Sequence, residues 1–168
     1  HDGVQAASFR GVCRALTDAA VPYDVRIFGH ERLWDDHWQL NSLEQYDAVV
    51  LAGHDAIGER HVQLLAELID AGGDVVVSGT PPTRDEYFRS SSWDVFARDG
   101  VTVFDDNPGR QYIEDGAAPI ELVDAVRDHA TVLVDPRDSI GVSRRRQRNP
   151  DRVLVHLINY DWKEDGDR

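Results

Sequence analysis

The sequence predicts an α/β domain of three layers, α/β/α, built on a mostly parallel sheet with antiparallel strands added near its C-terminal end. Two near-continuous apolar runs, Asp47–Gly53 and Asp74–Gly79, end in glycine and fit strands buried on both faces. Amphipathic helical patterns alternate with such runs from residue 5 to residue 129, the order that builds parallel sheets. Beyond residue 130 the apolar runs follow one another with no helix between them, which predicts antiparallel pairing.

Residues 5–20 read as a helix, with Phe9, Val12, Cys13, Leu16 and Ala20 at three- and four-residue spacing and Pro22 marking its end. Tyr23–Phe28 reads as a short strand closed by Gly29. Residues 30–46 read as a long loop with a helical turn, and Trp34 and Trp38 stand one turn apart among acids and histidines. Ile57–Ala71 carries the strongest helical stripe (Val62, Leu65, Leu68, Ile69) and stops at Gly72-Gly73. Residues 84–98 read as partly helical, anchored by Tyr87, Phe88, Trp93 and Phe96. Val101–Phe104 reads as a strand and Asp105–Gly109 as a turn. Pro119–His129 reads as a helix with Ile120, Val123 and Val126 inward and proline in its first turn. Thr131–Val134, Ile140–Arg145 and Arg152–Tyr160 read as strands, the last two joined by a hairpin loop over Arg146–Asp151.

The chain has 168 residues, enough for one domain with a sizeable core. The α/β core spans about 5–130 and the added strands 131–162. Its formal charge is −13, with 23 Asp and 8 Glu against 17 Arg and a single Lys. This balance argues against a nucleic-acid binder and against an anionic membrane surface as partner. No apolar run is long enough for a membrane helix. Asp-rich, Lys-poor surfaces stay hydrated in concentrated salt, so a high-salt habitat is expected; the compartment, cytoplasmic or secreted, is not fixed by it. A GC-rich genome explains Arg over Lys but not the excess of Asp. One Cys excludes a disulfide framework and a Cys-rich zinc site.

The stretches F-R-G-V-C-R-A-L-T-D-A-A-V-P-Y-D-V (9–25), Y-D-A-V-V-L-A-G (46–53) and L-A-E-L-I-D-A-G-G-D-V-V-V-S-G (65–79) together resemble the class I glutamine amidotransferase-like, flavodoxin-like domain of multidomain glycoside hydrolases. The likeness is to the trimerisation domain of beta-galactosidases. V-L-V-H-L-I-N-Y-D-W (153–162) is similar to a strand near the end of such domains. The resemblance covers most of 5–160 and its motifs are structural. It implies a piece of a longer enzyme, a strand before His1, and catalytic acids in a separate barrel domain. It also implies a non-catalytic structural or oligomerisation role, with a homo-oligomer or the parent enzyme's other domains as partners.

A working amidotransferase needs a Cys at a strand-to-helix elbow with a His to activate it. The elbows here read Gly53-His54-Asp55 and Ser78-Gly79-Thr80 and hold none, while Cys13 sits within the first helix pattern. No catalytic residue is assigned. Ser78 lacks the G-x-S-x-G setting of a hydrolase nucleophile. Open α/β sheets bind ligands at the C-terminal ends of their strands, so His54, Asp55, Ser78 and Thr80 are the candidate ligand-binding residues. The competing reading makes Asp55 a helix N-cap and leaves His54 in a solvated loop. Trp34 and Trp38 are candidates for stacking on a sugar or for contact with a neighbouring subunit. His30, Asp36 and His37 lack a metal-ligand spacing, and Asp161–Gly166 places Lys163 where a calcium loop needs oxygen, so no metal and no cofactor are expected. Arg144, Arg145, Arg146 and Arg148 read as a hairpin tip balanced by nearby Asp. Three functions follow in order: an oligomerisation domain, a ligand- or carbohydrate-binding module, and a standalone hydrolase.

Overall fold

The structure is a computed structural model. It describes residues 3–30, 32–37 and 40–127, together with the backbone of 140–148 and 151–159. Its centre is a three-stranded parallel sheet of β1 (Ala48–Ala52), β2 (Asp74–Ser78) and β3 (Val101–Phe104), in that spatial order. Ala48 pairs with Asp74 and Val75 with Val101, so the three strands end level at Ala52, Ser78 and Phe104. The helices are α1 (Val4–Asp18), α2 (Glu59–Asp70), α3 (Pro108–Glu114) and α4 (Ile120–Arg127).

The apolar strands have side chains to bury on both faces, and both faces are covered. Val75 and Val77 pack with Leu64, Leu65 and Leu68 of α2 and with Leu40, Leu43, Ile57 and Val95. The intervening Val76 turns to the other face, against Val12, Ala15 and Leu16 of α1 and Leu122 and Val123 of α4. This alternation along β2 is the period-two geometry of a strand buried on both sides. Gly72 and Gly73 close α2: Gly73 N–H donates to Leu68 O, and Gly72 takes φ +90°, which suits a residue without Cβ.

α1 lies close on α3 through two glycines. A Cβ on Gly11 would meet the Gly109 carbonyl, and one on Gly109 would come within 2.6 Å of Ser8 O. Glycine at both positions therefore sets the depth at which α1 sits over the sheet end.

Several sequence expectations change. Tyr23–Phe28 belongs to no strand. Tyr23, Val25 and Ile27 are exposed, while Phe28 turns inward and stacks on His61 at 4.4 Å. A short β-type run needs a ladder to hold it, and the described ladder ends at β1. Phe9 is also exposed, and the inward face of α1 is Ala7, Ser8, Gly11, Val12, Ala15 and Leu16. Within 84–98 only Asp94–Ala97 is helical, as a 3-10 turn burying Val95. Tyr87 and Phe88 point to solvent. Asp105–Gly109 is not only a turn: Asn107 caps α3 and Pro108 opens it. In α4, Leu122 is buried and Ile120 is exposed.

The backbones of β4 (Ile140–Arg148) and β5 (Asp151–Asn159) pair antiparallel in a two-stranded sheet of their own. The readings at Trp38, Thr131–Val134 and Asp161–Gly166 lie outside the described residues. No described helix is long and apolar enough to cross a membrane.

Candidate functional site at the strand ends

Parallel strands that end level bring their following loops to one edge. Backbone bonds continue the ladder past the strands, from Gly53 N–H to Ser78 O and from Gly79 N–H to Phe104 O, each 2.9 Å. Gly53 and Gly79 have φ of +66° and +108°, so the chain swings off the sheet at both points. Behind them lies a crevice of 460 Å³. His54 and Asp55 line it after β1, Thr80 after β2, and Asp105, Asp106 and Asn107 after β3. Val4 of α1 and Arg110, Gln111 and Glu114 of α3 complete the wall.

Of the four ligand-site candidates, His54, Asp55 and Thr80 line this crevice. Ser78 does not: it is fully buried beneath the floor, where its hydroxyl accepts the Gly109 N–H at 3.2 Å and donates to Asn107 Oδ1 at 3.3 Å. Asn107 Oδ1 also accepts from Ser8 Oγ at 2.7 Å and from the Arg110 N–H at 3.2 Å. Asn107 is thus the joint between α1, β2 and α3. It holds a left-handed φ of +53°, a conformation asparagine tolerates better than most residues. The N-P-G run at 107–109 carried the signal for this cap.

Asp55 is not a helix cap. Gly58 holds that position, and Asp55 instead accepts from Gln5 Nε2 of α1. His54 is not solvated either. Its Nδ1 is buried without a hydrogen-bond partner, and burial pushes the imidazole pKa down against the opposing pull of Asp55. The neutral imidazole is therefore the form that stands at the crevice at neutral pH.

No described elbow holds a nucleophile paired with a base. Cys13 is half-buried on α1, away from the crevice lining, and burial pushes its thiol pKa up. Comparison of the chain with protein-family models, curated proteins and solved structures returns no match. What the crevice offers is a polar lining: four carboxylates at Asp55, Asp105, Asp106 and Glu114, the Arg110 guanidinium, and Thr80, Asn107 and Gln111. Such a lining suits a polyhydroxylated or cationic small molecule.

A second polar cluster lies on the α2 face and was not foreseen. Asp36, which the sequence places in a long loop among other acids and histidines, is 4% exposed. It accepts from Gly29 N–H at 2.7 Å, pairs with His61 Nε2 at 2.6 Å, and pairs with Arg60, which also reaches Leu40 O. Burial raises its pKa, but Gly29, His61 and Arg60 together outweigh burial and hold the carboxyl below its ordinary value. His61 stands four and seven residues before Leu65 and Leu68, so the α2 stripe itself placed it inward. Asp35 and His37 approach Asp36, and Asp35 Oδ1 is 2.9 Å from His37 Nδ1. Both oxygens of Asp36 are already engaged, so the trio serves to fix the loop. Trp34 is 42% exposed, on a tight turn whose backbone bonds join it to His30.

Proposed function

We propose that this chain is a non-catalytic, amidotransferase-like domain of a glycoside hydrolase, serving as a structural and self-associating module of that enzyme. In this reading the parallel sheet is the core of a flavodoxin-like domain in three layers, and β4 and β5 are the antiparallel strands added to it. The observation that carries the reading is the makeup of the strand-end crevice. Where this kind of domain would carry its thiol elbow, the crevice presents His54, Asp55 and Thr80, and Cys13 lies elsewhere on α1. The Asp-rich surface fits work in concentrated salt. Homo-oligomers or the parent enzyme's other domains are the partners, with no nucleic acid, membrane or cofactor involved.

The test has two parts. Glutaminase, peptidase and ester hydrolysis assays on the purified chain are expected to give no turnover above a Cys13→Ser, His54→Gln double variant. Light scattering in molar salt is expected to give a mass above that of one chain. Turnover lost in the double variant, or a single-chain mass at every concentration, would each overturn the reading.

A second reading, a carbohydrate- or ligand-binding module, is favoured by the 460 Å³ crevice and its hydrogen-bonding lining. Calorimetry with neutral oligosaccharides distinguishes the two. Saturable heat that Asp55→Ala and Thr80→Val abolish would favour binding.

A further inference from the structure

A second hollow lies where the end of α1 runs beside the start of α4. It measures 170 Å³ and shares no lining residue with the strand-end crevice. Helix α3 serves both, giving Tyr112 to the hollow and Arg110, Gln111 and Glu114 to the crevice. Six apolar residues make most of the hollow: Ala15 and Ala19 at the end of α1, Ala118 and Pro119 ahead of α4, and Ile120 and Val123 within it. Three of the six are alanines, whose side chains stop short and leave room. Ile120 is 66% exposed, a large apolar side chain left open to water.

The polar groups around the hollow are spent on one another. Tyr112 Oη donates to Asp18 Oδ2 at 2.6 Å, and Arg14 Nε stands 3.4 Å from the same oxygen, with its guanidinium 4.9 Å from the Tyr112 ring centre. The hydrogen bond to Asp18 raises the phenol pKa, so Tyr112 remains the donor at neutral pH. Arg127 Nη1 donates to Asp124 Oδ1 at 2.9 Å. One group is left over. Arg127 Nε is buried and has no hydrogen-bond partner. A buried donor left unpaired carries a cost that an acceptor brought to it removes.

We propose that this hollow binds a small uncharged molecule with an apolar body, one substituted ring in size, and a single hydrogen-bond acceptor that pairs with Arg127. Volume sets the size: an apolar cavity of about 150 Å³ takes benzene. Charge sets the class. An anion would enter against the −13 of the chain and beside Asp18 and Asp124. A cation would lose its hydration and find both carboxylates already paired. An uncharged apolar body loses no charge hydration and takes water off the alanine, proline and isoleucine surface. The site stands apart from the self-association reading above, since it asks for no second chain and its occupancy is measured on one.

The test is titration of the full chain with acetophenone, followed by methyl signals in carbon–proton NMR. Acetophenone has one ring and one carbonyl acceptor. Expected are saturable shifts of the Ala15, Ala19, Ile120 and Val123 methyls with a dissociation constant below about 1 mM. Benzoate and phenethylamine should bind weaker by about fivefold or more. Ala118→Trp, at an exposed position, fills the hollow and should abolish the shifts while the melting temperature holds. Arg127→Lys keeps a cation for Asp124 and removes Nε. It should weaken acetophenone by about threefold or more and leave toluene, which has no acceptor, unchanged. No saturable shift up to about 10 mM overturns the proposal. So do shifts that persist in Ala118→Trp, or that fall on Val4 and Thr80 of the crevice instead. Benzoate that binds as tightly as acetophenone, or acetophenone indifferent to Arg127→Lys, overturns it as well.

Discussion

Replacing Gly11 by alanine tests whether two glycines set the depth of α1. In an ordinary helix interior the change should stabilise by about 1 kcal/mol. Here the new Cβ would stand 2.5 Å from the carbonyl carbon of Gly109 and closer still to its oxygen. The obstacle is backbone, so no rotamer change relieves it; α1 and α3 must separate. Overpacking of this kind costs about 1–3 kcal/mol and occasionally more. With backbone on both sides the upper end applies, and the net loss is about 2 kcal/mol. For a chain of this size that lowers the melting temperature by about 4–8 °C. The assay is thermal and urea unfolding followed by circular dichroism. Gly72→Ala is the control, since it meets nothing within 4 Å and suffers only from its φ of +90°. Gly109→Ala, which meets Ser8 O and Val12 Cγ2 from the other side, should behave like Gly11→Ala. A Gly11→Ala protein that melts at or above the unaltered one would refute the close packing of α1 on α3.

Asn107→Ala removes the cap of α3 and leaves a β-carbon residue in the left-handed region; about 2 kcal/mol should be lost, and Asn107→Gly should lose clearly less, both read from urea midpoints. Asp36→Asn breaks the pairing with His61 and Arg60, and since Arg60 is partly exposed the loss should lie near the low end for buried pairs, about 3 kcal/mol. The folded pKa of Asp36 is depressed, so its contribution is complete above the unfolded value of about 3.9 and is lost as pH falls below it. Urea unfolding between pH 3 and pH 6 should therefore show a flatter acid limb in Asp36→Asn, and an unchanged limb would refute the assignment. The His54 imidazole should titrate below about 6.5 by proton NMR, identified by its loss in His54→Gln. Its folded pKa is also depressed, so the stability it contributes is complete above that value and falls as pH drops through the interval beneath it.

The sheet and the crevice were legible because their signals are local. A five-residue apolar run ending in glycine needs only its own composition to read as a buried strand, and β1 and β2 lie within the runs read from sequence. Placing His54, Asp55 and Thr80 at the crevice followed from one rule about strand ends. Ser78 failed under the same rule because the last strand residue alternates inward, and its burial depends on Asn107 and Gly109, thirty residues away. Asp36 failed for a similar reason. Its neighbours Asp35 and His37 are exposed, and nothing within the loop shows that Arg60 and His61 arrive from α2 to pair with it. Tyr23–Phe28 has strand composition, yet composition does not supply a neighbour to pair with.

The two polar centres divide the labour of the sheet's C-terminal edge. On the α2 face, Asp36, Arg60 and His61 spend their charges on one another and on the backbone of Gly29 and Leu40. Phe28 bridges the two centres, stacked on His61 at 4.4 Å and tilted against His54 at 5.9 Å. On the α1 and α3 face, Asp105 and Asp106 stay exposed at the crevice, while Asp55 is bonded to Gln5 and Glu114 to Arg110. A buried charge network is weak support for stability, because the cost of removing charges from water offsets most of their attraction. Its use here is geometric. It pins the 29–40 loop to α2, and that loop carries Leu33 and Trp34. One buried carboxylate thus orders the chain at Gly29, and a second, inward-turned one, Asp85, orders the turn at Tyr87 and Arg89. Asp36→Asn should then speed hydrogen exchange at the Gly29 amide, which Asp36 holds, by more than Asn107→Ala, a change of comparable cost on the α1 and α3 face.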